Sequence, residues 1–212
     1  MRCRSRCRVT PSVWVKICGL TTLEAVHAAL AGGADALGFV FAPSKRQVTA
    51  AQAHALAREV AGRAARVAVM QHPTQALIDE VCEIFRPDIL QTDASDLAAL
   101  RVPAEIMLLP VVRDGQSIES VHATRVLYEG ETSGAGSVAD WSRAKSLAAR
   151  TQLILAGGLN ASNVAAAIAE VHPFGVDVSS GVESAPGVKD IGKIEAFISA
   201  ARQAASALAR NQ

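Results

Sequence analysis

Eight short runs of β-branched and other apolar residues, separated by alanine-rich stretches, constrain the fold of this chain more than any other feature. Such runs read as strands buried on both faces, the situation of a parallel sheet covered by helical crossovers. They fall at 13–18, 36–41, 66–71, 89–92, 106–112, 125–129, 152–156 and 175–179. The stretches at 22–31, 49–61, 74–85 and 162–171 are rich in Ala, Leu, Glu and Arg, with Ser or Thr at their starts, as capped helices are. Weaker helical segments are expected near Ser95, Gln116 and Trp141, and a last helix over 191–209. Eight such strands joined by helices predict an α/β fold, a single-domain (βα)₈ TIM barrel. A doubly wound sheet is the competing architecture, but the first strand runs into CGLT and not GxGxxG, so its dinucleotide fingerprint is missing.

The remaining bounds favour a small-molecule ligand. At 212 residues, half of them hydrophobic, the chain can bury one substantial core, and no low-complexity linker divides it. The barrel is expected over 13–212, with 1–12, which holds four arginines, as a frayed extension. No apolar h-region follows that start, so it does not read as a secretory signal, and no apolar run approaches the ~20 residues of a membrane span. With 21 Lys and Arg against 20 Asp and Glu, nothing marks a nucleic-acid or anionic-membrane partner. Cysteines at 3, 7, 18 and 82 form no CxxC pair, so neither a metal site nor disulfides are expected, and a cytoplasmic setting fits. A monomer or a homodimer is compatible with all of this.

Barrel chemistry sits at the C-terminal ends of the strands, so the polar residues there are the candidates. The first strand ends in Cys18 and Gly19, the second is followed by Ser44, Lys45 and Arg46, the fourth ends with Gln91, Thr92 and Asp93, and the sixth ends at Glu129. Strands seven and eight run into Gly157 and Gly158 and into Asp177, Ser179, Ser180 and Gly181. Glycines let backbone amides approach a ligand, and barrels commonly hold phosphate after these two strands. Gly157, Gly158, Ser179, Ser180 and Gly181 therefore suggest a phosphorylated substrate, although a tight turn and a helix cap would use the same residues. Cys18 could be a reactive thiol or a small core residue, and Glu129 an acid–base group or a loop charge. Arg46 could grip a carboxylate bidentately, which Lys45 could do only as a point charge. Cys82 reads as packing, and His72, just past the third strand, as structural.

Taken in order, VKICGLT, GADALGFVF then SKR, LQTD, LILAGGLNASNV and GVDVSSGVESAPGVKD resemble the phosphoribosylanthranilate isomerase family over about 13–198. GGLN with a following NV, and DVSSGVE with a following PGxKD, are the specific parts. The resemblance implies opening of the ribose ring of N-(5′-phosphoribosyl)anthranilate, then proton abstraction from the sugar C2 to an enol that becomes the ketone. It also implies Cys18 as general base, the residue at the end of the sixth strand as general acid, Arg46 on the anthranilate carboxylate and Asp177 as a substrate contact, with no cofactor. A thiol base needs a thiolate fraction, so the surroundings of Cys18 are expected to lower its pKa.

Two positions depart from the family pattern. The acid position, usually aspartate, is Glu129 in VLYEG, one methylene longer, and the family's QLHG is replaced by Gln91, Thr92, Asp93 and Ala94, among which Gln91 remains a substrate-binding candidate. The related histidine-pathway aminoaldose isomerase would need a second glycine-rich phosphate site in the first half and an aspartate ending the first strand. A catalytically silent barrel that binds a sugar phosphate as a sensor or complex partner is the reading from a different class.

Overall fold

Alternation within each strand decides what faces the barrel axis, because successive side chains of a strand point to opposite sides. The computed structural model describes residues 13–60, 62–116, 123–130 and 139–210. Eight parallel strands close on one another in sequence order: β1 (Trp14–Cys18), β2 (Ala36–Val40), β3 (Ala65–Val69), β4 (Ile89–Asp93), β5 (Met107–Arg113), β6 (Arg125–Glu129), β7 (Gln152–Leu155) and β8 (Gly175–Val178). The seam is sealed by β1 pairing with β8, Lys16 opposite Asp177. Among the described residues six α-helices cover the outside: α1 (Leu23–Ala31), α2 (Ala50–Ala57), α3 (Gln75–Ile84), α4 (Trp141–Ala148), α5 (Val164–Val171) and α6 (Ile191–Arg210).

The helices start where the sequence puts short polar caps. Thr22 accepts from the Ala25 amide, Thr74 from that of Leu77, and Thr49 forms a reciprocal capping box with Gln52. Alanines such as Ala25, Ala29, Ala53, Ala167 and Ala201 recur on the buried helix faces beside larger residues such as Ile78, Val81 and Phe197. Two apolar layers result. Ala36, Val67, Ile89, Leu109, Val111, Leu127, Ile154 and Ala156 fill the barrel interior, while a larger shell built on Val15, Ile17, Leu37, Phe39, Leu90, Leu153 and Phe197 joins strands to helices.

Three expectations change. The segment after β4, expected to hold a helix near Ser95, makes only a 3₁₀ turn at Leu97–Ala99, because Leu100 already adopts an extended conformation (φ −104°, ψ 140°) that leaves the helical region. The third strand begins earlier than expected, at Ala65, and ends at Val69. After β8 the chain adds a small antiparallel hairpin, β9 (Glu183–Ala185) with β10 (Val188–Lys189), that the strand count did not anticipate. The extension 1–12 and most of the segment expected to be helical after Gln116 lie outside the described residues.

Candidate active site

The inward-facing positions at the C-terminal strand ends converge. Cys18, Arg46, Gln91, Asp93, Arg113, Glu129, Asp177 and Ser179 line one cavity of about 200 Å³ at the mouth of the barrel. Cys18, Arg46 and Glu129, singled out by their places at strand ends, and Gln91 and Asp177, given substrate roles by the family resemblance, all lie there. Ser179, expected at the phosphate end, lines the same space.

Beneath the cavity lies a buried ion pair. Lys16 is fully shielded from solvent and its Nζ lies 2.9 Å from Asp177 Oδ1. Burial pulls the Lys16 pKa down, but the Asp177 carboxylate and the neighbouring Cys18 thiol outweigh it, so the ammonium is favoured. Gly38 makes room for this arrangement: a Cβ there would stand 3.0 Å from Cys18 Sγ and 3.2 Å from Lys16 Cε. Burial pushes the Cys18 thiol up, partly opposed by Lys16 and Lys189 and reinforced by Asp177. The sequence reading expected a lowered value. The correction follows from desolvation of a strand residue enclosed by β2 and β8, which costs the thiolate more than the nearby cations return.

On one side of the thiol stands a second ionic cluster. Arg46 donates from Nε to Glu183 Oε1 at 2.7 Å and from Nη2 to Glu183 Oε2 at 2.9 Å. Lys189 Nζ bridges Glu183 Oε1 and the Ser179 carbonyl, both at 2.8 Å, and the Gly187 amide donates to Glu183 Oε2 at 3.2 Å. Burial alone would raise the Glu183 pKa, but Arg46, Lys189 and the Gly187 amide hold it down to about 2. Glu183 takes the side-on edge of the guanidinium, so the end-on Nη1/Nη2 edge keeps the geometry for a second carboxylate. Neither Glu183 nor Lys189 was singled out in the sequence, although both lie in the quoted GVDVSSGVESAPGVKD stretch.

Across the cavity, Glu129 sits opposite Arg113 in the β5–β6 register, and Arg113 Nη2 lies 3.3 Å from Glu129 Oε1. Arg113 Nη1 also donates to Asp93. His72, at a left-handed φ of 46°, donates its amide to Asp96 at 3.1 Å and sets its ring Nδ1 2.9 Å from Asp96 and Nε2 3.5 Å from Asp93. Gln91 is buried, and its Oε1 has no hydrogen-bond partner among the described residues.

The glycine-rich end is built as the sequence suggests. Gly157 and Gly158 turn the chain out of β7 at φ of 85° and 63°, which L side chains rarely adopt. Among the described residues neither gives its amide to a backbone carbonyl. Ser180 and Gly181 lie in a 3₁₀ turn after β8, packed so closely on the loop after β7 that a Cβ at Gly181 would stand 1.9 Å from the Leu159 carbonyl oxygen.

The chain as a whole is similar to proteins of one family. The sequence pattern described as N-(5'phosphoribosyl)anthranilate (PRA) isomerase matches residues 15–200. An N-(5'-phosphoribosyl)anthranilate isomerase from Azorhizobium caulinodans is 38% identical, with 92% of this chain and 94% of that protein aligned. The crystal structure of a phosphoribosyl anthranilate isomerase in complex with reduced 1-(o-carboxyphenylamino)-1-deoxyribulose 5-phosphate has a TM-score of 0.74 at 33% identity, covering 90% of this chain and 99% of that one. Generated monomers of the dimeric Thermotoga maritima enzyme give a TM-score of 0.78 at 32% identity, covering 90% and 99%. No described helix is long and apolar enough to cross a membrane.

Proposed function

Because the chain belongs to the N-(5′-phosphoribosyl)anthranilate isomerase family, we infer that Cys18 and Glu129 carry out on this barrel the Amadori rearrangement of tryptophan biosynthesis. The protein is an aldose–ketose isomerase that converts N-(5′-phosphoribosyl)anthranilate to 1-(2-carboxyphenylamino)-1-deoxyribulose 5-phosphate. The observation that carries the residue assignment is that the thiol and the carboxyl line the same cavity, with Ser179, the first residue after β8, lining it beside them.

Glu129 gives its proton to the furanose ring oxygen as the C1–O bond breaks and the anilino nitrogen lone pair forms the C1=N bond. Cys18, as thiolate, then takes the proton from C2, and the C2–H electrons flow toward the iminium nitrogen to leave an enolamine. Tautomerisation places the carbonyl at C2 and the amine at C1. A thiol with a raised pKa is a stronger base when ionised and a rarer one, and Lys16 beside it offsets part of the cost of ionisation.

Binding divides along the same lines. The phosphate is held by the Gly157, Gly158, Ser180 and Gly181 backbone with the Ser179 hydroxyl, the anthranilate carboxylate by the end-on edge of Arg46, and sugar hydroxyls by Gln91 Oε1 and Asp177. Each barrel carries the full set, so a monomer and a homodimer are equally competent. Free Cys18 and Cys82 support a cytoplasmic setting. The test is loss of the substrate's fluorescence when phosphoribosylanthranilate is generated in situ. Turnover by the purified protein supports the reading, and its absence in a protein that still binds inorganic phosphate overturns it.

A further inference from the structure

We propose that Arg113 is a positioning residue for Glu129: its guanidinium, reaching from β5 and lying between Asp93 of β4 and Glu129 of β6, fixes the flexible acid side chain so that its carboxyl meets the ring oxygen. This rests on the assignment of Glu129 as the acid. Arg113 and Glu129 are register partners on adjacent strands, both inward, with side chains only 15% and 13% exposed. A glutamate has one more rotatable bond than an aspartate, and a reacting group displaced by ~1 Å can lose about 100-fold in rate. A planar guanidinium with one nitrogen on Asp93 and another 3.3 Å from Glu129 removes that freedom.

The far end of the clamp is itself anchored. Asp93 is buried against the cavity, and behind it His72 bridges Asp93 and Asp96, while Thr92 Oγ1 donates to Asp96 at 2.8 Å. This row runs from the barrel mouth to the exposed His72 and ties the loops after β3 and β4 together. The same His72, Asp93 and Asp96 come close enough to suggest a cation site, but Arg113 already provides the countercharge to Asp93.

The experiment measures kcat and KM of Arg113→Gln, Asp93→Asn, Glu129→Ala and the Arg113→Gln/Glu129→Ala double variant, with thermal unfolding and inorganic phosphate binding as controls. For Arg113→Gln we expect kcat to fall about 10- to 100-fold with KM changed less than about threefold, because positioning is felt in the transition state. In the Glu129→Ala background the same substitution should change kcat by less than about twofold, since nothing remains to be positioned. Asp93→Asn should show a smaller fall in kcat of the same kind, and it decides the question should Arg113→Gln not fold. Unchanged kcat, a rise in KM alone, or additive losses in the double variant would overturn the proposal while leaving the functional reading intact. A wild-type protein without turnover would sink both.

Discussion

Lys16 and Asp177 meet inside the barrel across the β1–β8 seam, Nζ to carboxylate oxygen at 2.9 Å, with the lysine wholly shielded from solvent. The pair closes the barrel and places an ammonium below the Cys18 thiol. Removing one partner leaves the other charge buried, which costs about 3–5 kcal/mol. Lys16→Met should therefore lower the unfolding free energy measured in urea by about 3–5 kcal/mol. A variant as stable as the parent would show that the pair is not what it looks like.

Cys18 is expected to be a thiol in the free protein at neutral pH, since burial raises its pKa above the ordinary 9.0. Thiolate absorbance near 240 nm, taken as the difference between wild type and Cys18→Ala, isolates this group from the other cysteines. The difference should emerge only above about pH 9. A step below pH 8 would mean that Lys16 and Lys189 outweigh desolvation.

Glu183 predicts an acid-sensitive contribution to stability. Its folded pKa, about 2, lies below the ordinary 4.5, so the native state holds fewer protons here than the unfolded chain between these values. The contribution is present in full above about pH 4.5 and is lost as pH falls toward 2. Urea unfolding of wild type and Glu183→Gln should give a stability gap at pH 6 that narrows steadily below pH 4.5. A gap that stays constant down to pH 2.5 would contradict the ionic cluster with Arg46 and Lys189.

Gly181 tests the phosphate end. An alanine Cβ 1.9 Å from the Leu159 carbonyl oxygen forces one backbone segment off the other. Gly181→Ala should cost about 1–3 kcal/mol of stability, as overpacked sites do, and weaken inorganic phosphate binding at least about tenfold through misplaced amides. Unchanged phosphate affinity would move the anion site away from the loops after β7 and β8.

Much of this architecture was legible because its determinants are local. The apolar runs that became β1, β2, β4 and β6 announce themselves by composition, and strand-end position placed Cys18, Gln91 and Glu129 at one mouth. Arg46 and the Gly157–Gly158 turn followed from residue type. What stayed hidden depends on long-range closure. The grip of Glu183 on Arg46 spans 137 positions of sequence, and nothing near Arg113 announces that it faces Glu129. The raised pKa of Cys18 is not legible in the sequence because burial, which dominates it, exists only once β2 and β8 have closed around the strand.

The proposed role of the Cys18 thiol as general base is tested most directly by the turnover of phosphoribosylanthranilate by wild type and Cys18→Ala at equal concentration and pH. Loss of a general base costs about 10²–10⁴-fold, so Cys18→Ala should lose at least about 100-fold in kcat while its inorganic phosphate affinity stays within about twofold. A Cys18→Ala protein that turns over as fast as wild type would contradict the central claim.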